Sequence, residues 1–127
     1  MGKFFLAGVG GFLGSVLRYG VSGFVQDLSR SIKFPFGTLA VNLVGCFAIG
    51  FLSQLAESRG VFTAETRTLL FVGVLGGFTT FSAFSNETIN LWRDGESLLA
   101  TLNVAAHVIL CLGAVWVSRA AAFQIWS

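Results

Sequence analysis

Apolar residues dominate four long stretches of the chain, and short polar segments separate these stretches. They cover about residues 4–25, 36–55, 68–91 and 98–118. At a rise of about 1.5 Å per residue, a helix over the first stretch would be about 33 Å long, which is enough to cross the hydrocarbon core of a bilayer. The pattern therefore predicts an all-α membrane protein, with four transmembrane helices in a single domain over residues 1–127.

The lysines and arginines that flank the spans give almost no preference for one orientation in the membrane. One side would hold Lys3, Arg59, Arg67 and Arg119, and the other side would hold Arg30, Lys33 and Arg93. Because an excess of Lys and Arg marks the cytoplasmic side, a division of four against three leaves the orientation undecided. The sequence therefore predicts a chain that inserts both ways round.

The composition agrees with a membrane protein and argues against several other classes. Charged residues make up 11% of the chain, whereas they account for about 25% of an ordinary soluble domain. The net charge of +2 comes from residues dispersed along the chain, so nucleic acid is not an expected partner. Cys46 and Cys111 both lie in apolar stretches, and we interpret them as reduced packing residues rather than as a disulfide or a zinc site.

The third stretch contains residues that disfavour a straight helix at mid-membrane depth. Gly73, Gly76 and Gly77 are followed by Thr79 and Thr80. Glycines form helices poorly, and threonine hydroxyls compete for backbone hydrogen bonds. One interpretation is a helix break whose carbonyl oxygens face a cavity and hold a cation. The other is a packing face, Gly73-x-x-x-Gly77, that lets a second helix approach, and the sequence supports both equally.

Arg18 is the one base inside a predicted span, and Gly10, Gly11 and Gly14 precede it by one and two helical turns. A charge inside a membrane costs free energy, so it marks a functional or paired position by default. The alternative is a long side chain that reaches the interface or pairs with a backbone carbonyl. Arg18 also interrupts the first apolar stretch, which argues against a cleaved signal peptide.

Spans two and four each carry a stripe of polar residues. Thr38 and Asn42 are one turn apart in span two, and Asn103, His107 and Cys111 follow at intervals of four residues in span four. The Asn42 amide can offer two donors to a dehydrated anion, or it can bridge two helices. We interpret His107 as a hydrogen-bonded core residue, with a proton relay as the alternative.

The densest group of polar and aromatic residues is Thr79-Thr80-Phe81-Ser82-Ala83-Phe84-Ser85, followed by Glu87. Aromatic rings have a positive edge, so Phe81 and Phe84 together with nearby hydroxyls can contact an anion without a fixed cation. Aromatic residues in a span are also common as packing residues. The pattern by itself supports a four-span bundle, with transport as one interpretation.

Three motifs resemble those of the fluoride channel family known as Fluc or CrcB. They are Gly10-Gly11-x-x-Gly14-x-x-x-Arg18, Gly37-Thr38-Leu39-x-x-Asn42 and Gly76-Gly77-x-Thr79-Thr80-Phe81-Ser82-x-Phe84-Ser85. The resemblance covers nearly the whole chain and includes the four-span layout. The chain departs from the family pattern at Ala83, where Thr or Ser is usual, and at Cys111, where a serine commonly continues the polar track.

The resemblance implies a fluoride-selective channel in the inner (plasma) membrane, built as an antiparallel, dual-topology homodimer that conducts fluoride passively out of the cell. The residues it assigns to the fluoride pathway are Asn42, Phe81 and Phe84, with Thr38, Ser82 and His107 as supporting polar groups. It also implies that the third helix is broken near its middle, where the backbone carbonyls of Gly76 and Thr79 would hold a structural Na⁺ at the dimer centre. Arg18 is expected to serve the anion vestibule or assembly.

Two other functions compete with this interpretation. A small four-span multidrug or cation antiporter needs a membrane-buried carboxylate, typically in span one, where this chain has Arg18. Glu87 is the one acid within any predicted span. A purely structural membrane protein would conduct no ion. No enzymatic step is expected from any of these readings.

Overall fold

The computed structural model describes residues 2–126, and these residues form helices connected by short loops. The elements are α1 (Gly2–Ser29), α2 (Phe36–Arg59), α3 (Ala64–Arg67), a π-helical segment (Thr68–Leu75), α4 (Gly76–Phe78), α5 (Phe81–Arg93) and α6 (Ser97–Trp126). Within this described range there is no β-strand.

Four helical runs of the described chain are long and apolar enough to cross a membrane. They are Gly2–Ser29, Phe36–Arg59, Ala64–Arg93 and Ser97–Ile125. The prediction of an all-α protein with four membrane-spanning helices is therefore confirmed.

The helices extend beyond the apolar stretches that predicted them. The second span, predicted to end at about residue 55, continues to Arg59, where Gly60 ends it with a left-handed backbone (φ 60°). The Gly60 N–H donates to the Ala56 carbonyl at 2.8 Å, and Thr63 then caps α3. Hydropathy marks the part of a helix inside the hydrocarbon, whereas capping residues mark where the helix ends, so the two boundaries differ.

Glycines bring α1 against the third span at backbone contact distance. A Cβ added at Gly10 would lie 2.5 Å from the Leu69 carbonyl oxygen, and one added at Gly77 would lie 2.7 Å from the Gly11 carbonyl oxygen. Likewise, a Cβ added at Gly73 would lie 2.8 Å from the Gly10 Cα. These approaches leave no room for a side chain, so Gly73-x-x-x-Gly77 does form the predicted packing face.

Helices α2 and α6 lie side by side and run in the same direction. Asn42 contacts His107 at 3.1 Å, 65 residues further along the chain. Two turns later, Gly50 lies against the backbone of Val115, which is again 65 residues further along the chain. A Cβ added at Gly50 would be 2.6 Å from the Val115 carbonyl oxygen. A constant offset between contacting residues means that the two helices keep one register along their shared length.

The loop before α2 is held by Gln26 and by an ion pair. Gln26 Nε2 donates to the Phe34 carbonyl at 3.0 Å, and its Oε1 accepts the Gly37 N–H at 2.9 Å. Lys33 Nζ lies 2.6 Å from Glu96 Oε1, in the turn that follows α5. This hydrogen bond to the carboxylate raises the pKa of Lys33 above its ordinary value. The ion pair joins two loops outside the apolar spans.

Candidate functional site

Thr79 and Thr80 connect α4 to α5 with extended backbone. Their dihedral angles are φ −88°, ψ 156° and φ −151°, ψ 112°. Thr80 Oγ1 accepts the Ala83 N–H at 3.1 Å and so caps the start of α5. The Asn42 amide accepts the Thr80 N–H at 2.8 Å and donates to the Thr80 carbonyl at 3.1 Å. One side chain of α2 thus satisfies both backbone groups of Thr80 at mid-span, where no helical partner is available.

The bonds of Asn42 determine which nitrogen of His107 carries the proton. Asn42 Oδ1 accepts from the Thr80 N–H, so the amide nitrogen is the atom that lies 3.1 Å from His107 Nε2. An amide nitrogen can only donate, and Nε2 is therefore an acceptor. We assign the proton of the neutral ring to Nδ1, which lies 3.0 Å from the Asn103 carbonyl. His107 is thus a buried, fully hydrogen-bonded side chain.

Two phenylalanine rings and the imidazole form a continuous row beside this cluster. The ring centroids of Phe81 and Phe84 are 5.3 Å apart with planes at 56°, and those of Phe84 and His107 are 4.3 Å apart at 42°. Tilted pairs of this kind turn ring edges toward neighbouring space. Phe84 is half-buried, but Phe81 is 78% exposed in the single chain. The row therefore begins in the core and ends at the surface.

These groups line one cavity of about 400 Å³. Of the residues predicted for the fluoride pathway, it brings together Asn42, Phe81, Phe84 and His107, and Thr79 adjoins them. Within the part of the chain that the structure describes, no Lys, Arg, Asp or Glu lines this cavity. Its polar groups are hydroxyl, amide, imidazole and thiol groups, which can contact an anion without a full opposite charge.

Thr38 and Ser82 lie away from this cavity. Thr38 is buried on α2, and its side chain interacts with Glu87 of α5. One carboxylate oxygen of Glu87, Oε1, is buried without a hydrogen-bond partner. Ser82 is exposed, and its hydroxyl lies 3.1 Å from Thr80 Oγ1. Ser82 is therefore linked to the cavity through Thr80, whereas Thr38 belongs to a separate contact with Glu87.

Arg18 is paired with a backbone carbonyl of the third span. Its Nε donates to the Gly77 carbonyl oxygen at 3.0 Å, and the side chain is half-buried. Gly77 lies in the last turn before the helix ends at Phe78. Carbonyls in a last helical turn lack intrahelical donors and attract positive charge. The structure therefore supports the carbonyl-pairing alternative for Arg18, and the residue does not contact the ring cavity.

The carbonyl groups of Gly76 and Thr79 have lost their usual helical donors. In a continuous helix they would accept from the N–H groups of Thr80 and Ala83, four residues later. Here the Thr80 N–H donates to Asn42 Oδ1, and the Ala83 N–H donates to Thr80 Oγ1. Carbonyls released from helical bonding in this way are the oxygen ligands that alkali cations take in membrane proteins. The two positions that the resemblance implies for Na⁺ therefore offer carbonyl oxygens of the kind that could hold a hard cation.

Sequence reasoning missed part of this site. Thr80 is not among the residues assigned to the pathway from the sequence, although a threonine immediately before a helical stretch is a recognisable capping signal. The sequence indicates packing residues at Cys46 and Cys111, yet both line the cavity. Cys46 lies one turn after Asn42, and Cys111 lies one turn after His107. Their place on the cavity wall could be predicted from this spacing only if α2 and α6 were already known to be in register.

The chain is similar to known fluoride channels over most of its length. A family model described as "CrcB-like protein, Camphor Resistance (CrcB)" matches residues 5–119. A protein of Parabacteroides distasonis named "Fluoride-specific ion channel FluC" is 50% identical over 114 residues, which are 90% of this chain and 88% of that protein. "Fluoride-specific ion channel FluC 1" of Methanosarcina acetivorans is 43% identical over 120 residues, which are 94% of this chain and 90% of that protein. These matches confirm the resemblance, and the chain belongs to the CrcB family.

Proposed function

We propose that this chain forms a fluoride-selective channel, which conducts fluoride passively out of the cell and lowers its concentration in the cytoplasm. The observation that carries the proposal is the ring pair of Phe81 and Phe84 on a cavity whose described lining residues have no fixed charge. The relatives named as fluoride-specific ion channels support it, because they align over about nine-tenths of the chain.

The cavity chemistry suits a small anion that must cross a low-dielectric medium. Fluoride holds its water strongly, so a pathway has to replace that water with hydrogen bonds or positive ring edges. A fixed cation would also attract fluoride, but it would bind the ion too tightly for release. The edges of Phe81 and Phe84, with the Thr80 hydroxyl on the same cavity wall, provide weaker contacts that fluoride can form and break as it passes.

Asn42 has a different role in this proposal from the free donor expected from the sequence. Its Nδ2 group faces the Thr80 carbonyl at 3.1 Å and His107 Nε2 at 3.1 Å, so both amide hydrogens already have acceptors. Fluoride would gain a hydrogen bond from Asn42 only by displacing one of these partners. We therefore infer that Asn42 acts mainly by holding the start of α5, and hence both rings, in position.

We further propose that the channel is an antiparallel, dual-topology homodimer. The Phe81 ring is 78% exposed in the single chain, so an ion beside it would contact lipid on one side. A second copy of the chain would cover that side. The nearly even division of Lys and Arg between the two membrane faces supports insertion in both orientations.

The third span would then act as a broken helix that carries a structural Na⁺ at the dimer centre. We propose that the carbonyl oxygens of Gly76 and Thr79, from both subunits, would hold this ion. Bound Na⁺ would supply positive charge that offsets the carbonyl dipoles meeting at the subunit interface. The support within this chain is that the N–H groups of Thr80 and Ala83 are directed elsewhere.

The location that follows is the inner (plasma) membrane, with the protein as a multi-pass component. Hydrofluoric acid crosses lipid as a neutral molecule and dissociates inside the cell. A passive path for the anion is useful only in the membrane that bounds the cytoplasm, and four apolar spans suit such a path.

The test is fluoride efflux from liposomes that contain the purified protein and potassium fluoride. Addition of a potassium ionophore should start rapid efflux at a fluoride electrode, and liposomes loaded with potassium chloride should release no chloride. An antiporter, with Glu87 as its carboxylate, would instead need a proton gradient, and a structural protein would give no flux in either case. Absence of fluoride efflux from well-folded protein would contradict the proposal.

The dimer and its topology need a separate measurement. Crosslinking in membranes should give a dimer, and a tag at either terminus should be accessible from both sides of the bilayer. Labelling of all copies from one side only would show a single orientation and would contradict dual topology.

A further inference from the structure

Cys46 and Cys111 meet one helical turn beyond the Asn42–His107 contact. Each cysteine follows its neighbour in that contact by four residues, and α2 and α6 run parallel with an offset of 65 residues. The register therefore places the two cysteines opposite each other. Both residues also line the cavity of about 400 Å³.

The surroundings of the two thiols favour a soft metal ion over a hard one. Both cysteines are free and half-buried, and no charged side chain among the described residues lines their cavity. Thiolates are soft ligands that select soft d¹⁰ metal ions, whereas Na⁺ and Mg²⁺ prefer oxygen. No third His, Cys, Asp or Glu of the described chain joins the pair in a metal-binding group, so a metal that accepts two ligands is required.

The net charge of the metal–dithiolate complex then distinguishes one soft metal ion from another. Two thiolates bound to Hg²⁺ form a neutral complex, whereas two thiolates bound to Ag⁺ or Cu⁺ leave a charge of −1. An uncompensated charge is costly at mid-membrane depth. Cys46 and Cys111 both lie near the middle of their helices, so the neutral complex has the advantage here.

We propose that Cys46 and Cys111 form a two-coordinate site for Hg²⁺ that bridges α2 and α6 at the wall of the ring cavity. With mercuric chloride, each thiol loses its proton to water, two S–Hg bonds form, and two chloride ions leave. No atom changes its oxidation state. The bridge locks the two helices together and places a metal next to the cavity that Phe84 also lines. If the chain conducts fluoride as proposed above, bound mercury will slow the flux.

Metal binding is tested on the purified full chain with one equivalent of mercuric chloride, independently of any transport. The thiolate-to-mercury ultraviolet band and native mass spectrometry should give one Hg²⁺ per chain. Removing it with a monothiol should require at least about tenfold more competitor than for the C46S or C111S variant, because the second bond is intramolecular. Equal retention by the parent protein and by either single variant would overturn the proposal.

The serine variants are close in size to the parent, and size-exclusion chromatography verifies that each is folded before use. C46A and C111A serve as a second pair if a serine variant fails to fold. A variant that lacks both cysteines should bind no mercury. Binding that persists in it would place the metal elsewhere and overturn the site.

A transport measurement then tests the position of the site, and each variant is compared with its own untreated rate. Mercuric chloride should remove most of the fluoride efflux of the parent protein, a dithiol should restore it, and the variant without cysteines should be insensitive. Inhibition of that variant would overturn the assignment. A parent protein that binds one Hg²⁺ but conducts no fluoride before treatment would count against the proposed function and leave the metal site supported.

Discussion

The side chain of Asn42 and the peptide groups of Thr80 bond to each other in both directions. Thr80 donates its N–H to Asn42 Oδ1 at 2.8 Å, and Asn42 Nδ2 donates to the Thr80 carbonyl at 3.1 Å. The pair ties the middle of α2 to the start of α5, where the rings are placed. In a continuous helix the Thr80 N–H would donate to the Gly76 carbonyl, so its bond to Asn42 leaves that carbonyl without its usual donor. One side chain thus affects both the ring geometry and the proposed cation ligands.

Truncation of this amide should weaken both the fold and the flux. In Asn42→Ala the Thr80 N–H and carbonyl lose their partner, and an unsatisfied buried polar group costs about 1–3 kcal/mol. We expect a lower unfolding temperature and little fluoride efflux. Asn42→Asp keeps the acceptor but loses both donors and adds a negative charge on the cavity wall, so its flux should be lower still.

The control for this pair is Asn90→Ala, at an exposed position near the end of α5. It should leave the unfolding temperature and the efflux close to those of the parent. Parent-like stability and efflux in Asn42→Ala would show that the reciprocal bonds contribute to neither.

The spans could be predicted from the sequence because apolar length is a local property of the chain. The partners of Asn42 could not, since they lie 38 and 65 residues away and depend on how three helices pack. The sequence cannot decide between a functional role and carbonyl pairing for Arg18, because its partner, Gly77, lies 59 residues further along the chain. Arg18 bonds to a carbonyl that lacks a helical donor because a helix of the third span ends there. The spacing of residues within span one cannot show where that helix ends.

The glycine packing between α1 and the third span gives a test with a matched pair of substitutions. A Cβ at Gly10 would lie 2.5 Å from the Leu69 carbonyl oxygen, whereas one at Gly8 would meet nothing within 4 Å. Gly10→Ala must push two backbones apart, and overpacking of this kind costs about 1–3 kcal/mol. We expect a clearly lower unfolding temperature for Gly10→Ala and little change for Gly8→Ala. Equal stability of the two variants would contradict the backbone contact.

Removal of Na⁺ should destabilise the assembled protein if carbonyl groups hold the ion. A ligand at a hundred times its Kd stabilises the folded state by about 2.7 kcal/mol, so the unfolding temperature should fall when N-methylglucamine replaces sodium at equal ionic strength. Thr79→Ser should respond like the parent, because it keeps the carbonyl and the hydroxyl that donates to Leu75 at 2.9 Å. Identical unfolding curves in both salts would argue against the ion.

Arg18→Lys should reduce assembly more than it reduces conduction through assembled protein. Lysine lacks the Nε donor that bonds to the Gly77 carbonyl at 3.0 Å, and its ammonium is a compact, strongly hydrated charge. We expect a smaller dimer fraction on size-exclusion chromatography. Arg59→Lys, at the end of α2, is the control and should assemble normally. A normal dimer fraction for Arg18→Lys, combined with lost efflux, would place Arg18 in the ion path instead.

Replacing either cavity ring by isoleucine should slow fluoride while leaving the dimer folded. Phe81→Ile and Phe84→Ile roughly keep apolar volume but remove the positive ring edge, and Phe84→Ile also loses the stack on His107 at 4.3 Å. Loss of about 1.4 kcal/mol of stabilisation along the path slows passage about tenfold. Phe62→Ile is the control, since that ring packs on Phe71 outside the cavity. Full fluoride efflux through well-folded Phe81→Ile and Phe84→Ile dimers would show that fluoride conduction does not depend on the ring edges, even in a channel of this family.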